Sequence, residues 1–329
     1  MTNKDKYELF CQQTYVPIYS KPWWMDVVCG GPDNWDVWLY ESGDDVLAAM
    51  PYYMERRGAA GEYRYITKAP LTQNNGIIFK EADRKRVTSA EFEEKIIQAA
   101  CKYIASLGLD VYEQQYAPTF QNWSPFFWNN YTCVLRYTFI IEDTLDLRAV
   151  YDNFSSKYRN KIKKGQLAAQ VDEQISCKEF YREHEKVFLR HGKQCPFSYD
   201  LWVKLHEACV EHDAGRAMCA RDAEGNVHAV LFLVWDEHSV YQLLGGYMQE
   251  FASSQAYPAL IYHGIEMAHK MGRAYDFEGS MIQPIAVAFR QFGGVPKPYY
   301  RIRKVFNPEI VRKEAEEYIL RVQAEGAEG

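Results

Sequence analysis

Residues Arg216–Val305 carry an alternation of apolar runs and polar turns that constrains the fold more than any other part of the sequence. Each apolar run is short and ends in a turn signal such as Asp222–Asn226, a pattern that is typical of strands. Longer runs with helical periodicity are interleaved with the later strands. The pattern predicts, in chain order, three strands, a helix, a strand, a helix and a strand: Arg216–Arg221, Val227–Val234, Ser239–Gly245, Ser254–Met271, Ala274–Phe277, Pro284–Phe292 and Tyr299–Val305.

The first half of the chain repeats this order. Its predicted elements are three strands, a helix that Ser89 caps and Gly108 stops, and two further strands: Trp35–Glu41, Val46–Arg56, Tyr63–Thr67, Ser89–Leu107, Asp110–Gln115 and Thr132–Glu142. A shift of 164 residues superposes the last strand of the first half, Cys133–Ile141, on Lys297–Val305. We therefore expect two domains of similar architecture, at residues 1–146 and 147–307, followed by a charged helical tail at 308–329.

A basic helix is predicted to open the second half, from Leu147 to Lys164, with Gly165 as its stop. Apolar residues recur on it every four positions and mark one buried stripe: Val150, Phe154, Tyr158 and Ile162. Its cations are Lys157, Arg159, Lys161, Lys163 and Lys164. Two interpretations stay open for them: a site for a phosphate-rich acceptor or the end of a tRNA, and a solvated face whose charges suit the helix C-terminus.

Composition excludes several classes of protein. The chain has 329 residues, 47% of them hydrophobic, and a net charge of −6, so it is globular and lacks the overall basic charge of a nucleic-acid-binding protein. No DNA partner is expected. Neither a signal peptide nor a run of 18 apolar residues is found, and the eight cysteines are scattered without C-x-x-C spacing. We expect a cytoplasmic protein with no membrane span and no metal site; the oligomeric state stays open.

Two carboxylates lie at the C-terminal end of the predicted strand Ala274–Phe277. Asp276 and Glu278 alternate onto the same face at the carboxyl end of that strand, with Ser280 just beyond them. Ligands of open α/β sheets bind at such ends, so either carboxylate is a candidate to accept a proton from a substrate. Tyr247 is a candidate to donate a proton to a leaving group, although ordinary packing is the alternative reading for this residue.

A second candidate site is the start of the helix after the three strands. Backbone amides of Ser253, Ser254, Gln255 and Ala256 would face an anion there, because helix N-termini carry partial positive charge. The alternative is that the two serines only cap the helix. Gly245 and Gly246 either form a bulge that opens a slot between strands or merely end a strand.

Several segments resemble one known family. Tyr275–Gly279, Phe289–Gly294 and Tyr299–Ile302 are similar to the C-terminal half of the Fem-type, or peptidoglycan-bridge, branch of the GNAT N-acyltransferases. The resemblance implies an α/β fold (α+β) of two tandem GNAT-like domains, each with a mixed, largely antiparallel sheet flanked by helices. It also implies an acyltransferase with its working site in the second half.

The same resemblance implies substrates. The donor would be acetyl-coenzyme A or another acyl-coenzyme A, held by Gly245, Gly246 and residues 253–256, or alternatively an aminoacyl-tRNA. The GNAT pattern Gln/Arg-x-x-Gly-x-Gly/Ala is absent from that segment. The acceptor would be an amine, such as a peptidoglycan or other cell-envelope precursor. The residues implied to bind it are Lys157, Arg159, Lys161, Thr72, Gln73, Asn74, Trp24 and Arg290. A pair of GNAT domains that binds ligands without catalysis is a third reading.

Overall fold

The computed structural model describes residues 1–81, 85–279 and 281–327, which form two compact units. The first unit consists of Met1–Leu135 together with Tyr299–Gly329, and the second of Arg136–Pro298. Among the described residues, no helix combines the length and the apolar character that crossing a bilayer requires.

The first unit contains a five-stranded sheet with a short sixth strand at its side. Its helices are α1 (Asn3–Gln13), α2 (Pro22–Val28), α3 (Arg86–Ser106), α4 (Ser124–Trp128) and the tail helix α11 (Pro308–Ala327). Its strands are β1 (Trp35–Ser42), β2 (Asp45–Arg57), β3 (Tyr63–Thr67), β4 (Ile78–Phe79), β5 (Val111–Gln115) and the later residues of β12 (Val295–Val305). The sheet order is β1-β2-β3-β5-β12, with β4 beside β2. Among the described strand pairs of this sheet, β3 and β5 run parallel and the others antiparallel.

The second unit contains a sheet of the same design. Its helices are α5 (Leu147–Asp152), α6 (Ser156–Ala168), α7 (Cys177–Leu189), α8 (Tyr199–Glu211), α9 (Ala256–Met271) and α10 (Gln283–Gln291). Its strands are the later residues of β6 (Thr132–Ile141), then β7 (Gln170–Asp172), β8 (Gly215–Arg221), β9 (Val227–Trp235), β10 (Ser239–Tyr247) and β11 (Ala274–Asp276). The sheet order is β6-β11-β10-β9-β8-β7, and only β10 and β11 run parallel.

The repeated element order and the mixed, largely antiparallel sheets confirm the predicted fold class. In each unit an antiparallel meander is followed by a helix and by a strand parallel to the last meander strand. Strand β9 is buried along its whole length, with Phe232 packed on α7 and α8 and Leu233 on α9, which explains the unbroken apolar run Ala229–Trp235.

The last strand of each sequence half belongs to the unit of the other half. Ile140 and Ile141 of β6 pair with β11, whereas Arg301–Val305 of β12 pair with β5. The units are therefore divided near residues 135 and 298, whereas the sequence suggested a boundary at 146. A strand carries no local signal of its distant partner, so the alternation of apolar residues revealed the strands but not this exchange. The division into repeats at residue 146 stays a prediction.

The basic helix differs from its prediction. The predicted helix is interrupted at residues 153–155. The Ser155 hydroxyl accepts a hydrogen bond from the Tyr158 amide and caps the start of α6. Gly165 does not stop the helix, which continues to Ala168. It lies instead where α6 packs against the start of α9, with no room for a side chain beside the Gln255 carbonyl. The predicted stripe of apolar residues is nevertheless buried at Val150, Phe154 and Ile162.

Two other helix starts were misplaced. Helix α3 begins at Arg86 after Lys85, so Ser89 lies within its first turn and is not its cap. Helix α9 begins at Ala256, because residues 249–254 form a separate 3-10 turn that ends at Gln255 in the left-handed conformation. The polar residues near both starts resemble caps in sequence, and only the backbone path distinguishes them.

We predict that Gly165→Ala destabilises the second unit. Alanine in a helix interior normally stabilises by up to about 1 kcal/mol relative to glycine. Here the added methyl group would lie 2.8 Å from Cβ of Ala259 and still closer to the Gln255 carbonyl oxygen, and such overpacking costs about 1–3 kcal/mol. Urea denaturation should therefore give a lower free energy of unfolding.

The matched control is Gln166→Ala, at the neighbouring exposed position of the same helix. It should leave the free energy of unfolding within about 0.5 kcal/mol of the native value. Equal stability of the Gly165→Ala variant would contradict the close approach of α6 to α9.

Candidate functional site

Strands β10 and β11 separate after a short parallel pairing. The pairing covers only Ser239–Tyr241 opposite Ala274–Asp276, because β11 ends there while β10 continues to Tyr247. Residues 242–247 of β10 therefore extend beyond the pairing with β11, and their edge on that side is not paired with β11. Backbone amides and carbonyls along such an edge can bind an extended ligand.

A bulge in β10 lies at the point of separation. Gln242 pairs with Leu233, but the next pair is Leu244 with Phe232, so Leu243 is the extra residue. The predicted bulge at Gly245 and Gly246 is thus displaced, and both glycines lie in regular pairing with β9. They are small for another reason. A methyl group on Gly245 would lie 2.7 Å from the Tyr257 hydroxyl, and one on Gly246 would lie 2.6 Å from Val187.

Asp276 ends β11 with its carboxylate buried. One carboxylate oxygen accepts hydrogen bonds from the Thr138 hydroxyl and from the Glu278 amide, the latter at 2.8 Å. Burial raises the pKa of Asp276 to about 6 against an ordinary value of 3.8, although both hydrogen bonds act in the opposite direction. The carboxylate thus ties the end of β11 to β6 and orients the residue that follows.

Glu278 has an unusual backbone for a buried glutamate. Its φ of +63° lies in the left-handed region, and its side chain is only 7% exposed. Such a conformation costs about 1–2 kcal/mol for a residue with a Cβ. Gly279, next in the chain, lies so close to the Tyr137 carbonyl that no side chain fits. Asp276 and Glu278 are thus both buried at the end of β11, but Glu278 follows the strand in the left-handed conformation, so the predicted strand alternation does not extend to it. Ser280 lies outside the described residues.

Tyr247 lies at the far end of β10 under Arg190, the residue that follows α7. The Arg190 guanidinium is 4.2 Å from the centre of the Tyr247 ring and donates a hydrogen bond of 2.9 Å to the Tyr247 carbonyl. The tyrosine thus borders the stretch of β10 that β11 has left, and its ring is held by a cation.

The sequence did not predict a chain of hydrogen-bonded polar side chains at the bulge. Tyr275 donates to the Gln242 side-chain oxygen at 2.9 Å, and the Gln242 amide donates to the Tyr257 hydroxyl at 3.1 Å. Gln242 is buried although it is polar. A glutamine in the middle of an apolar strand was the available signal, since buried polar groups need partners.

The start of α9 offers few amides to an anion. The Ala256 amide donates to the Ser254 hydroxyl at 3.2 Å, and Pro258 has no amide hydrogen. The Gln255 side chain donates to the Ala252 carbonyl at 2.8 Å, and Ser254 donates to Phe251 at 2.7 Å. These contacts are local, whereas Ser253 is exposed.

The cations of α6 divide into two groups. Arg159 donates to the carbonyls of Asp152 and Phe154 at 2.8 and 2.6 Å, so its guanidinium stabilises the end of α5. Lys157 is exposed, and Lys161 lies one turn further on, 4.7 Å from the Tyr158 ring centre. Partial burial, followed by the charge of Lys157, lowers the pKa of Lys161. A lysine pair of this kind favours an anion nearby.

Some of the first-unit residues that were predicted to bind the acceptor are buried in the core. The Trp24 indole donates to the Thr72 hydroxyl at 3.0 Å, and both side chains are buried. The Gln73 carbonyl accepts from Gln115 at 2.6 Å. Asn74 borders a cavity of about 310 Å³ between the loop after β3 and the residues that follow β5. Asn74 of this group thus lies beside a space that a ligand could enter.

Arg290 is exposed near the end of α10, and the start of α6 lies next to it. The Ser155 amide donates to the Gln291 carbonyl at 3.0 Å, and the rings of Tyr158 and Phe292 are 5.0 Å apart. The predicted substrate residues Lys157 and Arg290 are thus carried by neighbouring helix ends. Among the described residues, no group of three histidine, cysteine or acidic side chains is arranged to hold a metal ion.

Comparison with known proteins defines the class. Residues 152–280 match the family model described as an acetyltransferase (GNAT) domain. FemX is similar in structure with a TM-score of 0.68, covering 95% of this chain and 98% of its own at 10% identity. A conserved Bacteroides thetaiotaomicron protein gives 0.55, with 92% and 98% covered at 11% identity. L-PGS from Bacillus licheniformis gives 0.51, with 91% of each chain covered at 11% identity.

No curated protein sequence matches the chain. The chain is an acyltransferase-class protein with a GNAT domain in its second half. Over 95% of its length its fold is similar to that of FemX, which agrees with the Fem-type GNAT resemblance of its sequence.

We predict a pH-dependent effect of Asp276→Asn on stability. The folded-state pKa near 6 lies above the ordinary 3.8, so the folded protein binds this proton more tightly than the unfolded chain does. The stability that protonation gives is present below about pH 4 and is lost as the pH rises through 6. Asparagine keeps the acceptor oxygen without this loss.

Urea denaturation at a series of pH values checks this. The stability of the Asp276→Asn variant relative to the native protein should rise by up to about 3 kcal/mol between pH 4 and pH 7. The control Glu224→Gln changes an exposed carboxylate in the turn after β8 and should show no such trend. A constant difference between Asp276→Asn and native protein would contradict a buried, weakly acidic Asp276.

Proposed function

We propose that this protein transfers an acyl group from a coenzyme A thioester to an amine acceptor, with a cell-envelope precursor as the acceptor class. The observation that carries the proposal is the pair of buried carboxylates where β10 and β11 separate. The GNAT match of residues 152–280 supports acyl transfer, and the chemistry needs a base beside an opening that admits an extended donor.

Glu278 is proposed as the base. The amine nitrogen attacks the thioester carbonyl carbon, the nitrogen proton passes to the Glu278 carboxylate directly or through water, and the carbon–sulfur bond breaks to release the thiolate. Asp276 is a positioning residue, because its carboxylate accepts the Glu278 amide. The strained backbone of Glu278 supports this division of roles, since strain is retained where geometry serves function.

The donor is proposed to lie along the part of β10 that β11 has left. The extra residue Leu243 interrupts the regular pairing of β10 with β9 at that point. The pantetheine arm of coenzyme A can form strand-like hydrogen bonds with such an edge. Tyr247 borders the same stretch and is proposed to donate a proton to the departing thiolate.

Aminoacyl-tRNA is a second candidate donor, and the start of α9 favours it. The Ala256 amide is engaged and Pro258 has none, so a pyrophosphate finds little backbone recognition there. Helix α6, which packs against this start through Gly165, carries Lys157 and Lys161 as side-chain cations for phosphates. Binding of tRNA that weakens steeply with added salt, together with no binding of acetyl-coenzyme A, would select this donor.

Substitutions at Glu278 test the proposed base. We expect Glu278→Gln to lower kcat/KM for acyl transfer to an amine by about 100-fold or more, because glutamine cannot accept the proton. Glu278→Gly should lose the same activity while its free energy of unfolding falls by less than about 1 kcal/mol, since glycine adopts the left-handed backbone without strain. Thiol release measures turnover, and urea denaturation measures stability.

The matched control for both variants is again Glu224→Gln, which removes an exposed carboxylate of the same unit and should keep native turnover. Native turnover in Glu278→Gln would show that another group removes the proton. The same result in the double variant with Asp276→Asn would remove this carboxylate pair from the mechanism altogether.

A further inference from the structure

An exposed apolar turn lies directly beyond the proposed base. Met281 and Ile282 precede α10 and are 57% and 62% exposed, and Ile285 in its first turn is 40% exposed. All three follow Gly279 within six positions. The apolar turn therefore stands at the same end of β11 as Asp276 and Glu278.

The exposed side chains continue a buried stripe of the same helix. Ile282, Ile285 and Phe289 are spaced three and four residues apart, so they lie on one face. Phe289 is buried and stacks on Phe277 with ring centres 4.9 Å apart. The core thus anchors the later end of α10, and the stripe extends from the core into solvent at the earlier end.

Cations occupy the other end of α10. Arg290 and Lys157 are exposed on adjoining helix ends, joined by the hydrogen bond from Ser155 to Gln291. Within the described residues, neither forms an ion pair. Asp152, at the end of α5 just before α6, is already matched by a basic group, since its carboxylate lies 3.9 Å from Arg148. The chain as a whole has a net charge of −6, so this cationic end is a local feature.

We propose that this surface, named here the α10 patch and formed by Met281, Ile282, Ile285, Lys157 and Arg290, docks on an anionic lipid bilayer. Apolar side chains beside cations are what an interfacial membrane contact requires: the former enter the boundary of the acyl chains, and the latter meet anionic headgroups. Docking would place the end of β11 at the membrane surface, where a membrane-bound acceptor is presented.

The size of the patch favours a bilayer over a second copy of the chain. A stable protein interface buries about 800 Å² on each partner and takes about 20 residues from each side. Three large apolar side chains on one turn fall well short of that, whereas interfacial insertion needs only a few.

Vesicle flotation with the full chain tests the proposal. The protein should float with phosphatidylcholine vesicles that contain phosphatidylglycerol, and floating should weaken with added salt or with phosphatidylcholine alone. The double variant Ile282→Ser/Ile285→Ser should bind about tenfold more weakly or worse, because two side chains no longer enter the acyl boundary. Lys157→Gln/Arg290→Gln should lose the preference for anionic vesicles.

Two controls keep the test specific. Leu189→Ser/Val210→Ser removes similarly exposed apolar side chains from α7 and α8 of the same unit and should bind like the native protein. Ile319→Ser/Leu320→Ser does the same on the exposed face of α11. Thermal unfolding of each variant should match the native protein, since all these positions are exposed.

The proposal is overturned if the native protein does not bind anionic vesicles, or if the α11 variant loses binding while the α10 variant keeps it. It is also overturned if the native protein forms dimers in solution that Ile282→Ser/Ile285→Ser abolishes. Vesicle binding is measured without substrate, so its failure leaves the proposed acyl transfer untouched, and loss of turnover in the Glu278 variants leaves the α10 patch untouched.

Discussion

The site depends on the shortness of β11, which stops after three residues. A strand of three residues cannot follow β10 along its length, so the two parallel strands must part after Tyr241. The Asp276 carboxylate fixes where this happens, because it bonds both to Thr138 of β6 and to the amide of Glu278. Gly279 then allows the chain to pass against the Tyr137 carbonyl. The opening, the two carboxylates and the strained backbone share this one origin.

A second constraint acts where α6 meets α9. Gly165 allows the basic helix to lie against Gln255, in the segment where the GNAT resemblance implies a glycine-rich turn that would face the phosphates of the donor. Here a 3-10 turn and Pro258 replace that turn. We propose that phosphate recognition rests here on side chains, with Lys157 and Lys161 of α6 as the candidate cations. The donor question therefore reduces to which phosphates those two lysines meet.

The sequence predicted the elements of the second unit well, because apolar runs and turn residues are local signals. It placed Asp276 and Glu278 on one face by strand alternation, but β11 ends at Asp276 and Glu278 is left-handed, so the alternation does not extend to Glu278. It did not predict the exchange of β6 and β12, which depends on partners more than a hundred residues away. Nor did it predict the bulge at Leu243 or the true role of Gly165, because both depend on how one element packs against another.

Titration of the purified protein with acetyl-coenzyme A by calorimetry tests the central claim most directly. The claim is that the edge of β10 beyond Tyr241 receives a thioester donor. We predict saturable binding with a dissociation constant in the micromolar range, and a weaker constant for Gly245→Val, whose Cβ would lie 2.7 Å from the Tyr257 hydroxyl and so force β10 or Tyr257 to shift. The absence of binding to the native protein would contradict the thioester donor.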